Sequence, residues 1–330
     1  YIMGEKIDEL ESELKKFTSS NNSITCSSGT DALLLALMAI EIKPGDEVIT
    51  TPYSFISTAE TIALLKAKPV FVDIEADTFN IDANLIERKI TNKTKAIIPV
   101  SLFGQPSDLN LIQKVANKYN LKVIIDGAQS FGSKYFEHKD SNLGDISITS
   151  FFPSKPLGCY GDGGAIFTNN DEYASKIKMM RLHGQNKRYQ HKYIGIGGRL
   201  DTIQAAILLA KLPYFNHELI AREKVAKQYT HLLSNYLQTP KIKPNRFSSW
   251  AQYTIRVDNR DNFQLMLKDS GIPTSIYYPR PLYLQECFRY LNYKQSDFPI
   301  SEKASKEALS LVELPKKIII IKGKIINIVV

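Results

Sequence analysis

The sequence is poor in cysteine, with only Cys26, Cys159 and Cys287 among its 330 residues. These three lie far apart in the chain, so they form neither a disulfide framework nor the spacing of a metal-binding motif. We therefore expect a protein of a reducing compartment and predict no metal site.

The chain also lacks an apolar run long and unbroken enough to span a bilayer as a helix. Its most apolar stretch, "KKIIIIKGKIINIVV" at residues 316–330, is interrupted by Lys322 and Lys324. Tyr1 to Glu13 follow a polar, amphipathic helical pattern and do not resemble a signal peptide. We expect a cytoplasmic protein that has no membrane partner.

Acidic residues are absent from the last fifteen positions, where four lysines contribute half of the formal net charge of +8. Without this tail the chain is only mildly basic, and no patch combines arginines with aromatic residues. Nucleic acid is therefore not an expected partner. A mild positive charge suits an anionic small substrate, and it equally suits simple solubility.

What the sequence does contain is an alternation of helical patterns with short apolar strands. The strands are predicted at 46–51, 68–74, 94–101, 121–126, 146–152 and 163–168. The helices are predicted at 27–40, 57–66 and 108–120, after a first helix with Ile7, Leu10, Leu14 and Phe17 at helical spacing. Nearly continuous apolar strands between helices indicate an α/β fold with a mostly parallel sheet sandwiched by helices.

A second, smaller α+β domain is predicted in the C-terminal part of the chain. A mostly helical stretch at 200–237 is interrupted by Pro213. A strand at 251–257, a helix at 262–269 and the loop "SIYYPRPLY" at 275–283 follow it. The two predicted domains are a large domain at 1–210 and a small domain at 211–330.

One candidate site residue is the acid that ends the strand "VIID". In an open parallel sheet, ligands bind at the carboxyl ends of the strands. Asp126 could hold a metal ion, a ribose hydroxyl or a protonated ring nitrogen there, or it could cap a helix. A metal is disfavoured because no histidine or cysteine is spaced nearby.

A second candidate is Ser28-Gly29-Thr30, which precedes an apolar helix. Free backbone N–H groups and a hydroxyl at a helix N-terminus can cradle a phosphate, although the same residues could be a simple helix cap. The Gly-Lys-Ser/Thr ending of a Walker loop is missing. The glycines at 158–164 do not match GxGxxG either, because isoleucine occupies position 166.

The third candidate is Lys155, in "TSFFPSKPLGCYGDGGA" at 149–165. Alone it could be a surface charge, a phosphate ligand or a residue that binds a cofactor covalently. A phosphate cradle, an acid at a strand end and a lysine 29 residues beyond Asp126 together meet the needs of pyridoxal phosphate (PLP). The aldehyde needs an amine, the pyridine nitrogen needs a carboxylate, and the ring needs an apolar face, for which Phe55 is suitably placed.

The motifs around these residues resemble those of the DegT/DnrJ/EryC1/StrS sugar aminotransferases, which are PLP enzymes of fold type I. The resemblance extends to about residue 315, and its motifs are together highly specific. They are "SSGTDAL", "SFISTAET", "PVFVDIEADTFNID", "DGAQSFG", "SFFPSKPLGCYGDGGA" and "GRLDTIQAAIL". The resemblance implies a PLP-dependent transaminase with a large sheet domain and a smaller C-terminal domain.

The resemblance also implies a role for each site residue. Lys155 would bind the cofactor covalently and move a proton during amino transfer, and Asp126 would pair with the pyridine nitrogen. Phe55 would stack on the ring, and Gln129 would bind the ring hydroxyl. The implied phosphate ligands are Gly29, Thr30 and Ser150. Related dehydratases carry a histidine instead of the lysine, so Lys155 favours amino transfer.

Within the family, "SLFGQP", "LHGQNKRYQHKYIG" and "GRLDTIQAAILLAKL" most resemble enzymes that aminate C3 of a nucleotide-linked 3-keto sugar. The resemblance implies that glutamate aminates UDP-2-acetamido-2-deoxy-3-oxoglucuronate in the synthesis of bacterial surface polysaccharide, such as the O-antigen of lipopolysaccharide. The loop that carries Arg199 crosses into the partner's site in this family, which implies a homodimer with shared active sites. The candidate substrate contacts are Arg188, His191, Arg199, Tyr277 and Tyr278, although Arg188, His191 and Arg199 could equally be surface residues.

Other interpretations stay open. The same site could serve a dTDP-linked 3-keto- or 4-keto-6-deoxyhexose. A desulfurase of the same fold would need a reactive cysteine, for which Cys287 is the candidate. A non-catalytic, PLP-binding regulatory homologue would keep the fold as well.

The sequence departs from the family pattern at several positions. Gly197 stands where the family usually has an asparagine that reaches the neighbour's cofactor phosphate, so weaker cofactor binding is expected. Tyr277 and Tyr283 stand where histidines are common. The segment usually found before the first helix is absent, and the tail after Pro315 suits an aggregation-prone strand better than a closing helix. We therefore expect a truncated start and an altered C-terminus.

Overall fold

The computed structural model describes residues 2–311 and the backbone of residues 317–320 and 326–329. The helices are α1 Glu5–Thr18, α2 Gly29–Ala39, α3 Ser57–Leu64, α4 Ala83–Ile86, α5 Leu109–Tyr119, α6 Asp171–Met180, α7 Thr202–Lys211, α8 Phe215–Leu233, α9 Arg260–Asp269 and α10 Pro299–Glu307. Within the described residues, no helix combines the length and apolar character that crossing a membrane requires.

The strands are short, as the apolar runs predict. They are β1 Asn22–Cys26, β2 Glu47–Thr50, β3 Lys68–Phe71, β4 Thr94–Ile97, β5 Lys122–Asp126, β6 Lys134–Tyr135, β7 His138–Lys139, β8 Ile146–Ser150, β9 Gly164–Thr168, β10 Gln185–Lys187, β11 Gln190–His191, β12 Arg246–Phe247, β13 Tyr253–Arg256, β14 Thr274–Ser275, β15 Ala308–Leu311, β16 Lys317–Ile320 and β17 Ile326–Val329.

A seven-stranded sheet in the order β1-β9-β8-β5-β4-β2-β3 forms the centre of the fold. Its strands pair in parallel from β3 to β8, and only β9 runs against its neighbours. The predicted α/β class with a mostly parallel sheet is therefore confirmed. The carboxyl ends of β2, β4, β5 and β8 meet at one edge, which is where ligands bind in such sheets.

Helices cover both faces of this sheet. On one face α2 and α6 pack through residues such as Leu33, Leu35 and Ile177. On the other face α1 and α7 pack against aromatic residues such as Phe167, and α5 packs beside them. Strands whose residues are buried on both faces carry nearly continuous apolar runs, which is the pattern in the sequence.

Several boundaries differ from the prediction. The strand predicted at 94–101 ends at Ile97, because Pro99 has no N–H for a ladder hydrogen bond. The strand predicted at 68–74 ends at Phe71. Strand β1, helix α6 and the β10–β11 hairpin were not predicted, since these segments are polar and show no clear period.

A smaller sheet, β13-β15-β14, lies in the C-terminal part and pairs only antiparallel strands. Ala226 and Leu233 of α8 pack on it, whereas Phe215 and Leu219 of the same helix pack with α1 and α7. In the tail, β16 and β17 form an antiparallel hairpin, as the strand prediction implies. The remaining tail residues, which include Lys316, Lys322 and Lys324, lie outside the described part of the chain, and the domain division at 210 stays a prediction.

Candidate active site

A small polar cradle lies at the N-terminus of α2. The Ser28 hydroxyl accepts from the N–H of Asp31 (3.0 Å), so Ser28 is the helix cap. The N–H groups of Gly29 and Thr30 are in the first turn, where a helix offers no internal acceptor. A Cβ at Gly29 would lie 2.8 Å from Ser150 Cβ, so only glycine leaves this space open.

Hydroxyl groups complete the cradle. Ser150 ends β8 and is buried. The hydroxyls of Thr30 and Ser57 are 2.7 Å apart, which brings the start of α3 beside the start of α2. Ser57 was not predicted as a site residue. Backbone N–H groups, hydroxyls and a helix N-terminus together fit a phosphate group.

Asp126 ends β5 and is buried, with 4% of its surface exposed. Its carboxylate accepts from the Thr58 hydroxyl (2.7 Å) and from the Ala128 N–H (3.2 Å). Burial raises the pKa of this carboxyl, while these hydrogen bonds and the charge of Lys155 act in the opposite direction. A protonated ring nitrogen would supply the cationic partner that favours the carboxylate.

Lys155 lies in the loop between β8 and β9, where its N–H donates to the Phe152 carbonyl (2.8 Å). Burial lowers the pKa of the Lys155 amine, and Asp126 raises it by a smaller amount. Asp126 ends β5 and Lys155 follows the end of its parallel neighbour β8, so both groups lie at the same edge of the sheet, where each shifts the pKa of the other. An amine whose charged form is destabilised is suited to act as a nucleophile and as a base.

Gln129 is fixed by two hydrogen bonds. Its Oε1 accepts from the Phe103 N–H (2.7 Å), and its Nε2 donates to the Tyr278 hydroxyl (3.1 Å). One N–H of the amide is left for a further acceptor, such as a ring hydroxyl. Tyr278 is held in turn by Tyr53, whose hydroxyl accepts from the Tyr278 N–H (3.0 Å). Burial raises the pKa of Tyr278, so it remains a neutral hydroxyl.

The structure thus ties Tyr278, predicted as a substrate contact, to the predicted cofactor residue Gln129. Phe55 lies in the loop before α3, with 53% of its surface exposed and its ring centroid 6.4 Å from that of Tyr278. An exposed aromatic face beside the pocket is what a stacked ring would need. Tyr277 is half-buried, and its carbonyl accepts from the Tyr53 hydroxyl (2.6 Å).

The predicted substrate residues in the hairpin are not brought to Lys155. Arg188 is exposed and lies over the Tyr189 ring (5.2 Å). His191 is also exposed, and its Nδ1 is 2.9 Å from the His183 carbonyl. In the part of the chain that is described, no contact joins either residue to Lys155 or Asp126.

Arg199 lies nearer to the cradle than the hairpin residues do. It is half-buried and directly follows Gly198, whose carbonyl accepts from the Ser27 N–H (3.1 Å). Gly197 faces His183, since a Cβ there would lie 3.2 Å from the His183 ring. As a glycine, residue 197 has no side chain that could contact a phosphate group.

Two other residues considered from the sequence lie elsewhere. Tyr283 is buried against Phe298, with ring centroids 4.9 Å apart, and donates to Glu302, so it packs in the core. Cys287 is an exposed thiol in a short helical turn. Thr58, which binds Asp126, was missed because only the tertiary fold brings residues 68 positions apart together.

The chain is similar to known proteins over most of its length. The chain is 49% identical to the UDP-2-acetamido-2-deoxy-3-oxo-D-glucuronate aminotransferase of Pseudomonas aeruginosa over 94% of this chain and 86% of that protein. It is 46% identical to a pleiotropic regulatory protein of Geobacillus stearothermophilus over 96% of this chain and 86% of that protein. Among solved structures, it resembles Bacillus subtilis NtdA with bound cofactor PMP, with a TM-score of 0.87, 32% identity, and coverage of 94% of this chain and 73% of that one.

The family model for these enzymes matches residues 1–316. This confirms the type I fold and the PLP-dependent transaminase class that the motifs predict. The chain belongs to the DegT/DnrJ/EryC1/StrS aminotransferase family.

Proposed function

We propose that this protein transfers the amino group of glutamate to C3 of UDP-2-acetamido-2-deoxy-3-oxoglucuronate, a step toward 2,3-diamino sugars of bacterial surface polysaccharide. The Pseudomonas aeruginosa relative, at 49% identity, is named for this substrate. The observation that carries the chemistry is that Asp126 ends β5 and Lys155 follows the end of the neighbouring parallel strand β8, where each group shifts the pKa of the other. The proposed substrate places the reaction in the cytoplasm.

The cradle at the N-terminus of α2 would hold the cofactor's phosphate. The N–H groups of Gly29 and Thr30 point out of the helix start, where the positive end of the helix dipole favours an anion. The hydroxyls of Ser57 and Ser150 are further donors. When bound, PLP supplies the electron sink that makes the substrate carbon acidic.

Asp126 would keep a proton on the pyridine nitrogen. Thr58 and Ala128 hold its carboxylate in one orientation, so little reorganisation is needed when the ring binds. Gln129 would orient the ring through its hydroxyl, and Phe55 would cover one face.

Lys155 would bind the cofactor aldehyde and carry the proton. Because burial lowers its pKa, the neutral amine is more accessible than in an exposed lysine. A neutral amine can take a proton from the substrate carbon and return it to the cofactor carbon. Lys155 would move the proton in this direction when glutamate reacts, and in the opposite direction when the keto sugar reacts.

A second copy of the chain would complete the site. Tyr189 and Ile194, in and just after the hairpin, expose 79% and 87% of their surfaces, so a partner chain could cover apolar surface at this place. A homodimer whose hairpins enter each other's sites would bring Arg188 and His191 to the substrate. Arg199, Tyr277 and Tyr278 are the proposed contacts from closer to the cradle.

The test is the absorption spectrum of the purified protein with PLP, before and after glutamate is added. We expect a near-visible band that glutamate abolishes and the UDP-linked keto sugar restores. Lys155→Ala should lack the band, and Lys93→Ala, which changes an exposed lysine, should behave as the wild type. Absence of the band in a folded sample would contradict the proposal.

The same experiment separates the other candidates. Restoration of the band by a dTDP-linked keto sugar alone would favour that substrate class. A band that glutamate leaves unchanged would favour a regulatory role, which is the role named for the Geobacillus stearothermophilus relative.

A further inference from the structure

A buried carboxyl group lies directly behind the turn that carries Asp126 and Gln129. Asp140 is 1% exposed, and among the described residues no cationic side chain lies within ion-pair distance. Burial raises the pKa of Asp140 to about 7. An unpaired buried carboxyl costs stability, and groups of this kind concentrate at functional sites.

Hydroxyl groups surround this carboxyl. Ser130 donates a hydrogen bond to Asp140 Oδ2. The hydroxyls of Ser101 and Ser133 face the same carboxyl and lower its pKa, although neither makes a well-directed hydrogen bond. The carboxylate of Asp126, at the start of the same turn, faces Thr58.

Ser130, which Asp140 holds, and Ser101, which lies beside it, both bind the backbone of the turn that carries Asp126 and Gln129. The Ser130 N–H donates to the Gly127 carbonyl (3.0 Å), and the Ser101 N–H donates to the Asp126 carbonyl (3.0 Å). The turn is tightly packed, since a Cβ at Gly127 would lie 2.7 Å from the Ile148 carbonyl oxygen and 3.2 Å from Ser130 Oγ. A displacement of the Ser130 side chain would therefore also displace the backbone of Gly127, next to Asp126.

We infer that Asp140 is a positioning residue for the cofactor, because its carboxyl holds Ser130 and so fixes the orientation of Asp126 and Gln129. Asp140 touches neither cofactor nor substrate. The inference rests on the proposed function in taking Asp126 and Gln129 as PLP ligands.

The test is PLP titration of the cofactor-free protein, comparing the wild type with Asp140→Asn and Ser130→Ala. Asp73→Asn is the matched control, because Asp73 is also buried and accepts a serine hydroxyl, from Ser301 (2.6 Å), but does so at the start of α10. We expect both test variants to raise the Kd for PLP about tenfold, as groups that orient a ligand from behind do. The control should lower the melting temperature without changing the Kd.

The pH dependence of the near-visible band is a second readout, which distinguishes a positioning role of Asp140 from a general effect on the stability of the fold. In Asp140→Asn, the pH at which the near-visible band of bound PLP is lost should differ from the wild-type value, because a less well aimed Asp126 holds the proton of the ring nitrogen less firmly. Wild-type values of both Kd and this pH in Asp140→Asn would overturn the inference. Ser130→Ala leaves the carboxyl in place, so it tests the same link if Asp140→Asn fails to fold.

The two proposals fail in different ways. If the wild type does not bind PLP, the proposed function is wrong and this inference falls with it. If the wild type and both variants bind PLP equally well, only the inference is wrong.

Discussion

The turn at 126–130 and the β10–β11 hairpin carry two halves of the predicted site, and they differ in burial and in hydrogen bonding. Asp126 and Gln129 are 4% and 5% exposed. The Asp126 carboxylate accepts from Thr58 of α3 and from the Ala128 N–H of the same turn, and the Gln129 amide bonds to Phe103 and Tyr278. Arg188 and His191 are exposed, and their recorded contacts stay within or next to the hairpin.

This difference separates two tasks. Buried polar groups are costly unless they are paired, so the turn is organised before any ligand arrives. Exposed charged side chains cost little and can change without harming the fold. We therefore expect substitutions near the turn to affect the cofactor, and substitutions in the hairpin to affect only the sugar substrate.

The largest effect should come from Lys155→Ala. Removal of the amine takes away the proton carrier, so single-turnover amino transfer from glutamate should slow by about 10²-fold to 10⁴-fold. Lys93→Ala should keep the wild-type rate. Near-wild-type turnover in Lys155→Ala would show that another group moves the proton.

A second prediction concerns the pH dependence of stability behind the turn. Burial raises the pKa of Asp140 from 3.8 to about 7, so the unfolded chain releases this proton first. The free energy of unfolding should therefore fall as pH rises between these values, by up to a few kcal/mol at about 1.4 kcal/mol per pKa unit.

Urea unfolding at several pH values, for the wild type and Asp140→Asn, checks this prediction. In Asp140→Asn, the free energy of unfolding should no longer fall with pH on account of this carboxyl. In Arg188→Ala, which changes the hairpin, the fall should be the same as in the wild type. Parallel curves for the wild type and Asp140→Asn would mean that the carboxyl titrates normally.

Gly29→Ala tests the cradle. The new Cβ would lie 2.8 Å from Ser150 Cβ, and crowding of this kind costs about 1–3 kcal/mol. PLP titration should show this loss as a higher Kd. Gly4→Ala, whose Cβ would lie at an ordinary 3.6 Å from Thr202, should bind PLP normally. A normal Kd for Gly29→Ala would place the phosphate elsewhere.

Much of the fold follows from local patterns in the sequence. The apolar strands at 121–126 and 146–152 and the capped helix start at Gly29 were predicted because burial and capping leave signals within a few residues, although the second strand ends two residues earlier than predicted, at Ser150. Strand β1 and helix α6 were missed, because their burial depends on neighbours that the local sequence does not reveal.

The site was predictable to a similar degree. The resemblance indicated Lys155, Asp126 and Gln129, and the structure gathers them at one edge of the sheet. Thr58 and Asp140 could not be predicted, because their importance lies in contacts with residues distant in the chain or across a turn. Roles of the hairpin residues stay predictions, since in the described part of the chain no contact joins Arg188 or His191 to Lys155 or Asp126.

Arg188→Ala tests the hairpin. We expect an unchanged PLP spectrum and glutamate half-reaction, with KM for the UDP-linked sugar raised about tenfold, the equivalent of about 1.4 kcal/mol. Arg289→Ala, which changes an exposed arginine that pairs with Glu286 (3.5 Å), is the control. An equal loss of rate in the glutamate half-reaction would show that Arg188 also acts on the cofactor site. The hairpin and the turn would then not have separate tasks.

The smallest effect should come from Gly197→Asn, which restores the side chain that the resemblance associates with the partner's phosphate. The Gly197 backbone is outside the left-handed region, so asparagine fits it, but the new Cβ would lie 3.2 Å from the His183 ring. One hydrogen bond contributes about 0.5–1.5 kcal/mol, so PLP should bind a few-fold more tightly.

Gly197→Ala is the matched control for Gly197→Asn, because it adds the same crowding against His183 without an amide. Tighter PLP binding by the asparagine variant than by the alanine variant, seen only at protein concentrations where the chain is dimeric, would support a shared site. If both variants weaken binding equally, crowding decides the outcome, and Gly197 is then best explained as the residue that makes room for His183. In that case the cradle is complete within one chain, and the hairpin serves only the sugar.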